Sequence, residues 1–394
     1  MMDAQVLRKL STIRDFFGIS EEGEIPEGVR LFLEAMQEIT ITAGDDIVVC
    51  GADCEDGMYI ILNGTCDVFN ANGDRINASL GEGDFIGELG LMNDAQRGAT
   101  VRAVTDVRCA NISKKLFDEI GQSNRKIYGS FMTMLYNKTT NLVRKQQRIE
   151  SELEIATRIQ DGILEHDFTE FNKLDHIKIK ACARPAKEMG GDFYDVFMVD
   201  DTHLCFLIAD VSGKGVPAAM FMSMAKVHIK NYTTLGLPLA EVASRTNDQL
   251  CYKNKEGMFV TVFLCVLDLE TNEMKFINAG HDLPFICKKD GEWEMITAKR
   301  NLVFGLMGGV PYREQSMELA PGDSFYLYTD GVNEAINEAE ELYGVERLRD
   351  ALNKFNADAE DVDKFVDDMY NELDTYAGKA EQADDITMVY VTRA

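Results

Sequence analysis

Residues 123–165 read SNRKIYGSFMTMLYNKTTNLVRKQQRIESELEIATRIQDGILE and separate two parts of the chain that differ in pattern. The stretch has no proline, and Gly129 and Gly162 are its only glycines. Apolar residues recur every seven positions, at Leu135, Leu142, Ile149, Ala156 and Ile163. Good helix formers with this repeat predict a single helix of about 60 Å, at about 1.5 Å per residue.

The companion positions of the heptad repeat are mostly polar. They are Thr139, Gln146, Leu153 and Gln160. The helix is therefore predicted to pair less tightly than a leucine zipper, and we interpret it as a dimerising helix that couples two domains. A solvated spacer between the domains is the simpler alternative.

Length and charge limit the classes of function. A chain of 394 residues is expected to form two or more domains, because single cores rarely grow beyond about 250–300 residues. The net charge is −27, and residues 123–165, with 5 acidic and 7 basic side chains, are the one segment that is not acidic. Such a chain repels the phosphate backbone, so a main function in DNA or RNA binding is not expected.

No membrane or secretory segment is evident in the sequence. The first residues lack a basic region followed by an apolar region, and no apolar run approaches the roughly 18 residues of a spanning helix. We therefore expect a cytoplasmic protein that does not bind membranes. The nine cysteines are scattered, mostly in apolar runs, and Cys50 and Cys54 have no second pair or nearby histidine. Buried reduced thiols fit this pattern better than a zinc site.

The part before residue 123 changes from helical to strand periodicity. Val6–Phe17 and Gly28–Met36 are predicted to form short amphipathic helices. From Ile39 apolar residues alternate with polar ones, and turn sequences such as Asn63-Gly64 follow at short intervals. Many short strands joined by Asn, Asp and Gly turns predict a β-roll or barrel.

The segment GELGLMNDAQRGATV, residues 87–101, departs from the strand pattern. A short helical turn that starts at Gly87 offers free backbone N–H groups and a positive dipole end to an anion. Arg97 can add a charge-assisted contact to a phosphate. Glu88 cannot serve a phosphate and needs a hydroxyl donor instead. An anion beside a hydroxyl describes a ribose phosphate.

This segment resembles the phosphate-binding cassette of the cyclic nucleotide-binding domain, and the resemblance covers roughly residues 37–122. It implies that Glu88 binds the ribose 2′-hydroxyl and Arg97 the cyclic phosphate. The resemblance also implies that three further residues line the phosphate, namely Gly87, Ala99 and Thr100. Gly98 stands where cGMP-preferring relatives carry a hydroxyl residue, which favours cAMP. By the same resemblance, the long helix is expected to close over the base, with Tyr128, Ser130 and Phe131 as the candidates to contact it. Each of these residues could instead pack on the β-roll.

After His166, strands alternate with longer helices, which predicts an α+β domain. The predicted strands are Ile177–Ala183, His203–Val211, Phe259–Asp268, Glu273–Ala279, Phe325–Thr329 and Ile386–Val391. The predicted helices are Pro217–Asn231, Leu239–Asn254, Val345–Phe355 and Ala359–Ala377.

Aspartates occur at the ends of four predicted strands. The segments are Gly190–Asp195, Ala209–Gly215, Tyr328–Val332 and Ala383–Thr387. Carboxylates gathered at one end of a sheet repel each other by about 4 kcal/mol per close pair at an effective dielectric constant near 20. Hard cations with oxygen ligands, Mg²⁺ or Mn²⁺, relieve that repulsion. Taken singly, each aspartate is more often a turn residue, but four together favour a metal site.

These four motifs, in this order, resemble the metal-dependent (PPM) protein phosphatase family, in its bacterial sporulation stage-II-E branch. The resemblance runs from about Glu152 to Thr392 and includes Asn278-Ala279-Gly280-His281. It implies a central β-sandwich flanked by helices, with two metal ions at one end. The implied activity is hydrolysis of phosphoserine or phosphothreonine by a metal-activated water.

The resemblance also implies roles for individual residues, both as catalytic residues and as metal ligands. Asp210 is expected to bridge both metal ions, with help from the carbonyl of Val211. Asp330 and Asp385 are then ligands of one ion, and Asp192 is a ligand of the other, directly or through water.

Three further residues have weaker assignments. Asp195 and Asp384 are second choices as metal ligands. His281 is a candidate general acid for the leaving oxygen, although a histidine in such a turn is more often structural. Two look-alikes fail, because Gly190-Gly191-Asp192-Phe193 lacks the glutamate of diguanylate cyclases and Ser212–Gly215 lacks the remaining residues of a phosphate-cradling NTPase loop.

The sequence therefore predicts a multidomain protein with four segments. They are N-terminal helices (1–36), a cyclic nucleotide-binding domain (37–122), a linker helix or coiled coil (123–165) and a PPM-type phosphatase domain (166–394). The predicted function is a cyclic-nucleotide-regulated, Mn²⁺- or Mg²⁺-dependent protein serine/threonine phosphatase, homodimeric through the linker helix. Its expected substrate is a small phosphorylated regulator such as an anti-sigma-factor antagonist.

Two other functions compete with this prediction. A nucleotide-dependent scaffold with an inactive phosphatase domain would need to have lost aspartates that this chain retains. A nucleotide-responsive transcription factor needs a basic helix-turn-helix after the long helix, and this chain has an acidic α+β domain there.

Overall fold

The computed structural model describes residues 24–25, 27–91, 96–123, 125–174, 176–289, 291–355 and 361–393. Contacts between residues divide the chain into unit 1, residues 1–148, and unit 2, residues 149–394. The predicted helix Val6–Phe17 lies outside the described residues. None of the nine cysteines, all of them in the described ranges, forms a disulfide bond.

Unit 1 is built of short antiparallel strands. Its elements are α1 (Glu27–Ala35), β1 (Gln37–Ile41), β2 (Asp46–Val48), β3 (Met58–Asn63), β4 (Cys66–Phe69), β5 (Arg75–Leu80), β6 (Phe85–Ile86), β7 (Thr100–Ala103) and β8 (Val107–Ile112). They form two four-stranded sheets, in the orders β1-β8-β3-β6 and β2-β7-β4-β5. Alternate residues of both sheets enclose one core, which includes Ile61, Cys66, Val101 and Cys109. A one-turn 3₁₀ helix, Glu88–Leu91, follows β6.

Two helices follow these strands. Helix α2 (Lys114–Ser123) begins after Ser113, whose hydroxyl accepts a hydrogen bond from the Leu116 N–H. Helix α3 (Arg125–Asp161) covers most of the predicted 123–165 segment. Pairing of α3 with a second copy stays a prediction. The side chains of Tyr128, Ser130 and Phe131 lie outside the described part of the chain.

Unit 2 is a sandwich of two antiparallel sheets. Its elements are α4 (Thr169–Asn172), β9 (Lys178–Arg184), β10 (Phe193–Met198), β11 (His203–Val211), α5 (Val216–Thr234), α6 (Leu239–Cys251), β12 (Val260–Asp268), β13 (Glu273–Ala279), β14 (Phe285–Cys287), β15 (Trp293–Met295), β16 (Gln315–Glu318), β17 (Ser324–Tyr328), α7 (Asp330–Asn333), α8 (Gly344–Phe355), α9 (Val362–Ala377) and β18 (Ile386–Thr392). The sheet orders are β10-β11-β12-β13-β16 and β15-β14-β17-β18-β9.

Large apolar side chains fill the space between these two sheets. Phe206 and Phe263 of one sheet contact Phe325 of the other, with ring centroids 6.3 and 6.2 Å apart. Helices α5 and α6 cover the outer face of the first sheet, and α8 and α9 cover the outer face of the second. Strands buried on both faces explain the continuous apolar runs in the sequence. The predicted α+β architecture is confirmed.

The sandwich brings the four acidic segments to one end. In the first sheet, the start of β10 pairs with the end of β11, with Phe193 opposite Ala209. In the second sheet, the end of β17 pairs with the start of β18, with Tyr328 opposite Met388. Because both pairs are antiparallel, Asp192, Asp330 and Asp385 lie just outside paired strand ends, and Asp210 lies within the last two residues of β11. Among the described residues, no helix is both long and apolar enough to cross a membrane.

Candidate functional sites

Asp210 is the centre of the acidic group. It is the penultimate residue of β11 and lies opposite Thr261 of β12. Burial, together with the charges of Asp330 and Asp384, raises the pKa of Asp210 to about 7. These carboxylates therefore lie close enough to repel each other.

The pKa values of Asp192 and Asp330 are also raised. Burial raises the pKa of Asp192 well above its ordinary value, with the Asp210 charge as the next cause. Its Oδ2 atom is buried and has no hydrogen-bond partner among the described residues. Burial and the Asp384 charge raise the pKa of Asp330 to about 6. An unpartnered carboxylate oxygen beside like charges is the environment in which a divalent cation is most favourable.

Asp385 has a different environment from the other aspartates. Its Oδ1 accepts the Ala186 N–H at 2.7 Å, and its Oδ2 accepts the Gly191 N–H at 2.7 Å and the Asp192 N–H at 3.4 Å. A Cβ at Gly190 would lie 2.8 Å from Asp385 Oδ2, so glycine permits this close approach. Asp385 therefore braces residues 186–192 in this structure.

Asp384 points its carboxylate at a lysine. Its Oδ2 lies 2.9 Å from Nζ of Lys214, and its Oδ1 accepts the Asp385 N–H at 2.9 Å. Its charge is one of the causes of the raised pKa values of Asp210 and Asp330. Asp384, a second choice in the sequence, therefore lies within the acidic group.

The donor chemistry of this group fits Mn²⁺ or Mg²⁺, because all the donors are oxygens and several carry uncompensated charge. Within the part of the chain that the structure describes, however, no three His, Cys, Asp or Glu side chains are already arranged to hold one metal ion. Asp384 is paired with Lys214, and both oxygens of Asp385 accept backbone N–H groups. We therefore expect coordination to require movement of at least one of these side chains.

Asp195, the other second choice as a metal ligand, is paired with a lysine. Its Oδ1 lies 2.7 Å from Nζ of Lys226 on α5, and both side chains are almost fully buried. Lys226 Nζ also donates to the Tyr194 carbonyl at 3.1 Å. Because its charge is compensated by Lys226, Asp195 is not needed as a metal ligand.

His281 is enclosed by neutral partners. Its Nε2 lies 3.1 Å from the Tyr328 carbonyl, which accepts a hydrogen bond, so the proton is assigned to Nε2. Its Nδ1, 2.8 Å from the Thr261 hydroxyl, then accepts. Burial lowers the pKa of His281 to about 4. A buried neutral imidazole with both nitrogens bonded fits the structural role rather than the general acid.

His281 leads to a prediction about acid stability. Below pH about 6.5 the unfolded chain binds a proton that the folded imidazole resists until pH about 4. The contribution of neutral His281 to folding is therefore fully present above pH 6.5, and acidification to pH 5 lowers the free energy of unfolding by about 2 kcal/mol. His281→Gln keeps a donor and an acceptor, so we expect a smaller loss of unfolding free energy between pH 7 and pH 5 than in wild type, by urea titration.

His203→Gln is the matched control, since His203 is partly exposed and bonded to Asp200. An unchanged acid slope in His281→Gln would contradict the assignment of a buried neutral imidazole.

The last turns of α3 contact the backbone of the loop that precedes Asp192. Gln160 is buried, its Nε2 donates to the Gly190 carbonyl at 2.6 Å, and its Oε1 accepts the Gly190 N–H at 3.3 Å. The Thr157 hydroxyl donates to the Glu188 carbonyl at 3.0 Å. Residues 186–192 are thus held by α3 on one side and by Asp385 on the other.

The sequence did not identify Gln160 as a site residue, because it occupies the polar heptad row. Its only signal was a glutamine in a position where an apolar residue is expected.

Arg97 occupies the predicted phosphate site of unit 1. Its Nη2 lies 2.6 Å from Asp56 Oδ1 and 2.5 Å from the Gly57 carbonyl, and its Nη1 donates to the Gly87 carbonyl at 3.0 Å. Its buried Nε has no partner among the described residues. A guanidinium has five N–H groups, so part of its donor capacity remains for a phosphate.

The other predicted nucleotide ligands lie around Arg97. A Cβ at Gly87 would lie 1.9 Å from Arg97 Nη1, and the φ of Gly87 is +75°, so only glycine fits there. Glu88 begins the 3₁₀ helix and is half-buried. The Thr100 hydroxyl accepts the Cys50 N–H at 2.9 Å, and Ala99 is half-buried beside it in sequence. A bound nucleotide at these residues stays a prediction.

Arg97→Lys is expected to weaken cyclic nucleotide binding by roughly 100-fold or more, because lysine keeps the charge but loses the planar donor fork. Titration of fluorescent cAMP and cGMP into the full chain measures this change.

Arg102→Lys is the control, since Arg102 is an exposed arginine bonded through two nitrogens to Asp46 in the same unit. Equal affinities in wild type and Arg97→Lys would remove Arg97 from the site.

Comparison with known proteins gives a match for each unit. Residues 200–394 match the family described as stage II sporulation protein E (SpoIIE), and residues 38–124 match the cyclic nucleotide-binding domain. Protein IcfG of Synechocystis sp. is 28% identical over 309 residues, which cover 70% of this chain and 48% of IcfG. Phosphoserine phosphatase RsbU of Bacillus subtilis is 33% identical over 206 residues, which cover 52% of this chain and 60% of RsbU.

A solved structure has the same fold as unit 2. The SiaA-PP2C domain of Pseudomonas aeruginosa is 24% identical, with a TM-score of 0.54, and the match covers 64% of this chain and 98% of that domain. This likeness identifies the fold of unit 2 as PP2C-type. The chain spans 48% of IcfG and 60% of RsbU.

Proposed function

We propose that this chain is a cyclic-nucleotide-regulated protein serine/threonine phosphatase. It joins a cyclic nucleotide-binding domain (residues 38–124) to a stage II sporulation protein E domain (residues 200–394). The enzyme uses Mn²⁺ or Mg²⁺. The observation that carries this proposal is the group of mutually repelling carboxylates around Asp210, at one end of a PP2C-type sandwich.

The metal ligands in this proposal come from four loops. Asp210 is the central proposed ligand, and the neighbouring Val211 carbonyl would assist it, because, besides burial, the charges of Asp330, Asp384 and Asp385 all contribute to the raised pKa of Asp210. Asp192 is supported by its unpartnered Oδ2, and Asp330 by its raised pKa. For the last ligand, Asp384 is better supported than Asp385, because both oxygens of Asp385 already accept backbone N–H groups.

A bound divalent cation supplies an activated water and stabilises charge on the phosphoryl oxygens. The chain's own residues do the remaining work. Asp385 holds the backbone of Gly191 and Asp192, which fixes the Asp192 carboxylate relative to Asp210. Neutral His281 holds the Tyr328 carbonyl, two residues before Asp330. No cysteine has a role in this reaction.

The proposed substrate is a phosphoserine or phosphothreonine of a small regulator, such as an anti-sigma-factor antagonist. The similarity to a protein named phosphoserine phosphatase RsbU supports this class. The proposed regulator is a cyclic nucleotide bound by Glu88 and Arg97, and Gly98 favours cAMP over cGMP.

The proposed route of regulation is α3, paired with a second copy of the chain. Gln160 supports this route, because its amide bonds both backbone groups of Gly190 next to the acidic group. A change in the position or pairing of α3 then moves residues 186–192 with it. Analytical ultracentrifugation with and without cAMP tests the dimer.

Hydrolysis of a phosphoserine peptide by the purified full chain tests the proposed activity. We expect a rate that requires added Mn²⁺ or Mg²⁺, disappears with EDTA and returns when Mn²⁺ is restored. A rate no higher than that of buffer at every metal concentration, in a chain that still binds cAMP, would favour the scaffold with an inactive phosphatase domain.

A further inference from the structure

Lys214 connects two loops at the acidic group. It lies in Ser212–Gly215, between Asp210 and α5, and its Nζ donates to the Ala383 carbonyl and lies 2.9 Å from Asp384 Oδ2. Gly213 and Gly215 on either side have φ values of +85° and +75°, and a Cβ at either would meet no atom within 4 Å. The lysine is therefore attached to an open glycine loop and is about one-third exposed at 32%.

The lysine competes for a metal ligand. Asp384 Oδ1 accepts the Asp385 N–H, so Oδ2 is the oxygen that remains for a cation, and Lys214 now holds it. An ammonium and a divalent cation on the same carboxylate repel each other. Lys214 must therefore leave or loosen its contact with Asp384 when that carboxylate becomes a metal ligand.

We propose, resting on the proposed function, that Lys214 binds the phosphoryl group of the substrate, exchanging the Asp384 carboxylate for a phosphoryl oxygen. Lysine suits this role because it is a compact charge on a flexible four-carbon stem, with three donors. The anion that enters a phosphatase site is a phosphomonoester dianion. Its oxygens give the Lys214 ammonium, displaced from Asp384, a new partner beside the metal ligands.

Two other cations near the site fit this role less well. Arg184 is bonded through two nitrogens to Asp374, at 3.0 and 2.8 Å, and its guanidinium lies over the Tyr370 ring. Arg300 lies 3.6 Å from Asp282, whose charge contributes to the raised pKa of Asp330. Of these two, Arg300 is the stronger alternative for binding the phosphoryl group, and it provides the matched control.

A tether is the competing explanation for Lys214, since its bonds to Ala383 and Asp384 could simply hold residues 383–385. The two explanations differ in their effect on metal affinity. A tether predicts weaker Mn²⁺ binding after Lys214→Met, because Asp384 loses its position. A displaceable counter-ion predicts Mn²⁺ binding that is unchanged or tighter, because a competing cation has been removed.

Isothermal titration of the full chain separates these outcomes, first with MnCl₂ and then with inorganic phosphate on the Mn²⁺-loaded protein. We expect Lys214→Met to weaken phosphate binding by roughly 10- to 100-fold while Mn²⁺ affinity is retained. Lys214→Arg is expected to keep most of the phosphate affinity. Arg300→Met is expected to change the phosphate affinity by less than about 3-fold. Wild-type phosphate affinity in Lys214→Met, or loss of its Mn²⁺ affinity, would overturn the proposal.

The titration also separates this inference from the proposed function. A wild-type chain that binds Mn²⁺ and hydrolyses phosphoserine peptide, with a Lys214→Met variant that binds phosphate normally, overturns the role of Lys214 alone. A wild-type chain that binds no Mn²⁺ overturns the proposed function as well.

Discussion

Asp210→Asn is expected to reduce metal-dependent hydrolysis by at least about 10³-fold and, in the same protein, to stabilise the metal-free fold. The loss of activity follows from removing the shared carboxylate of the acidic group. The gain in stability follows because burial and the charges of Asp330 and Asp384 raise the pKa of Asp210 to about 7. Removing one repelling charge is worth about 2–4 kcal/mol at pH 8, as an order of magnitude, in urea unfolding with EDTA present.

Asp195→Asn provides the contrasting control. Asp195 is also a buried aspartate of unit 2, but its charge is paired with Lys226 at 2.7 Å. The same substitution there leaves a buried ammonium without its partner and is expected to destabilise the protein by about 3–5 kcal/mol. Loss of stability in Asp210→Asn, in metal-free protein, would contradict the interpretation that the acidic group carries uncompensated charge.

Gln160→Leu is expected to lower metal-dependent hydrolysis by roughly 10- to 100-fold and to lower the midpoint of thermal unfolding by several degrees, with the chain still folded at the assay temperature. Leucine fills a similar volume but leaves the N–H and carbonyl of Gly190 without their partners. Residues 186–192 carry Asp192, and a displacement of about 1 Å at a catalytic ligand costs up to about 10²-fold in rate. We also expect the response to cyclic nucleotide to shrink.

Gln147→Leu is the matched control on the same helix, because Gln147 is an exposed glutamine outside both heptad rows. It is expected to keep the rate of hydrolysis within about 2-fold. If Gln160→Leu keeps both the wild-type rate and the wild-type nucleotide response, α3 is only a spacer.

The sandwich was predictable because its strands and turns have strong local signals. Strands β11 and β13 begin and end at the residues that the alternation of apolar runs and turns predicts, at His203–Val211 and Glu273–Ala279. Strand β10 was missed because FYDVFM contains Asp195, and the sequence does not show that Lys226, more than thirty residues later, compensates its charge. Tertiary pairing overrode a local pattern that disfavours a strand.

The acidic site was predictable in its loops and less so in its individual atoms. Two adjacent aspartates, Asp384 and Asp385, have equal chemistry in the sequence. In the structure Asp385 accepts backbone N–H groups of residues 186–192, whereas Asp384 contacts Lys214. Lys214 lies in the glycine loop that follows Asp210, and the sequence gives the lysine itself no role. Its contact with Ala383 joins residues that are 169 positions apart in the sequence. Long-range contacts of this kind have no signal in a single sequence.

Regulation by the nucleotide requires that nucleotide binding in unit 1 changes phosphoester hydrolysis in unit 2. The most direct test measures Mn²⁺-dependent hydrolysis of a phosphoserine peptide by one preparation of the full chain, with and without saturating cAMP and cGMP. We expect cAMP to change the rate at least about 5-fold, the lower end of typical allosteric coupling, and Arg97→Lys to abolish that change while retaining the basal rate. A wild-type rate that neither nucleotide alters, in protein shown to bind one of them, would contradict regulation of the phosphatase by the nucleotide.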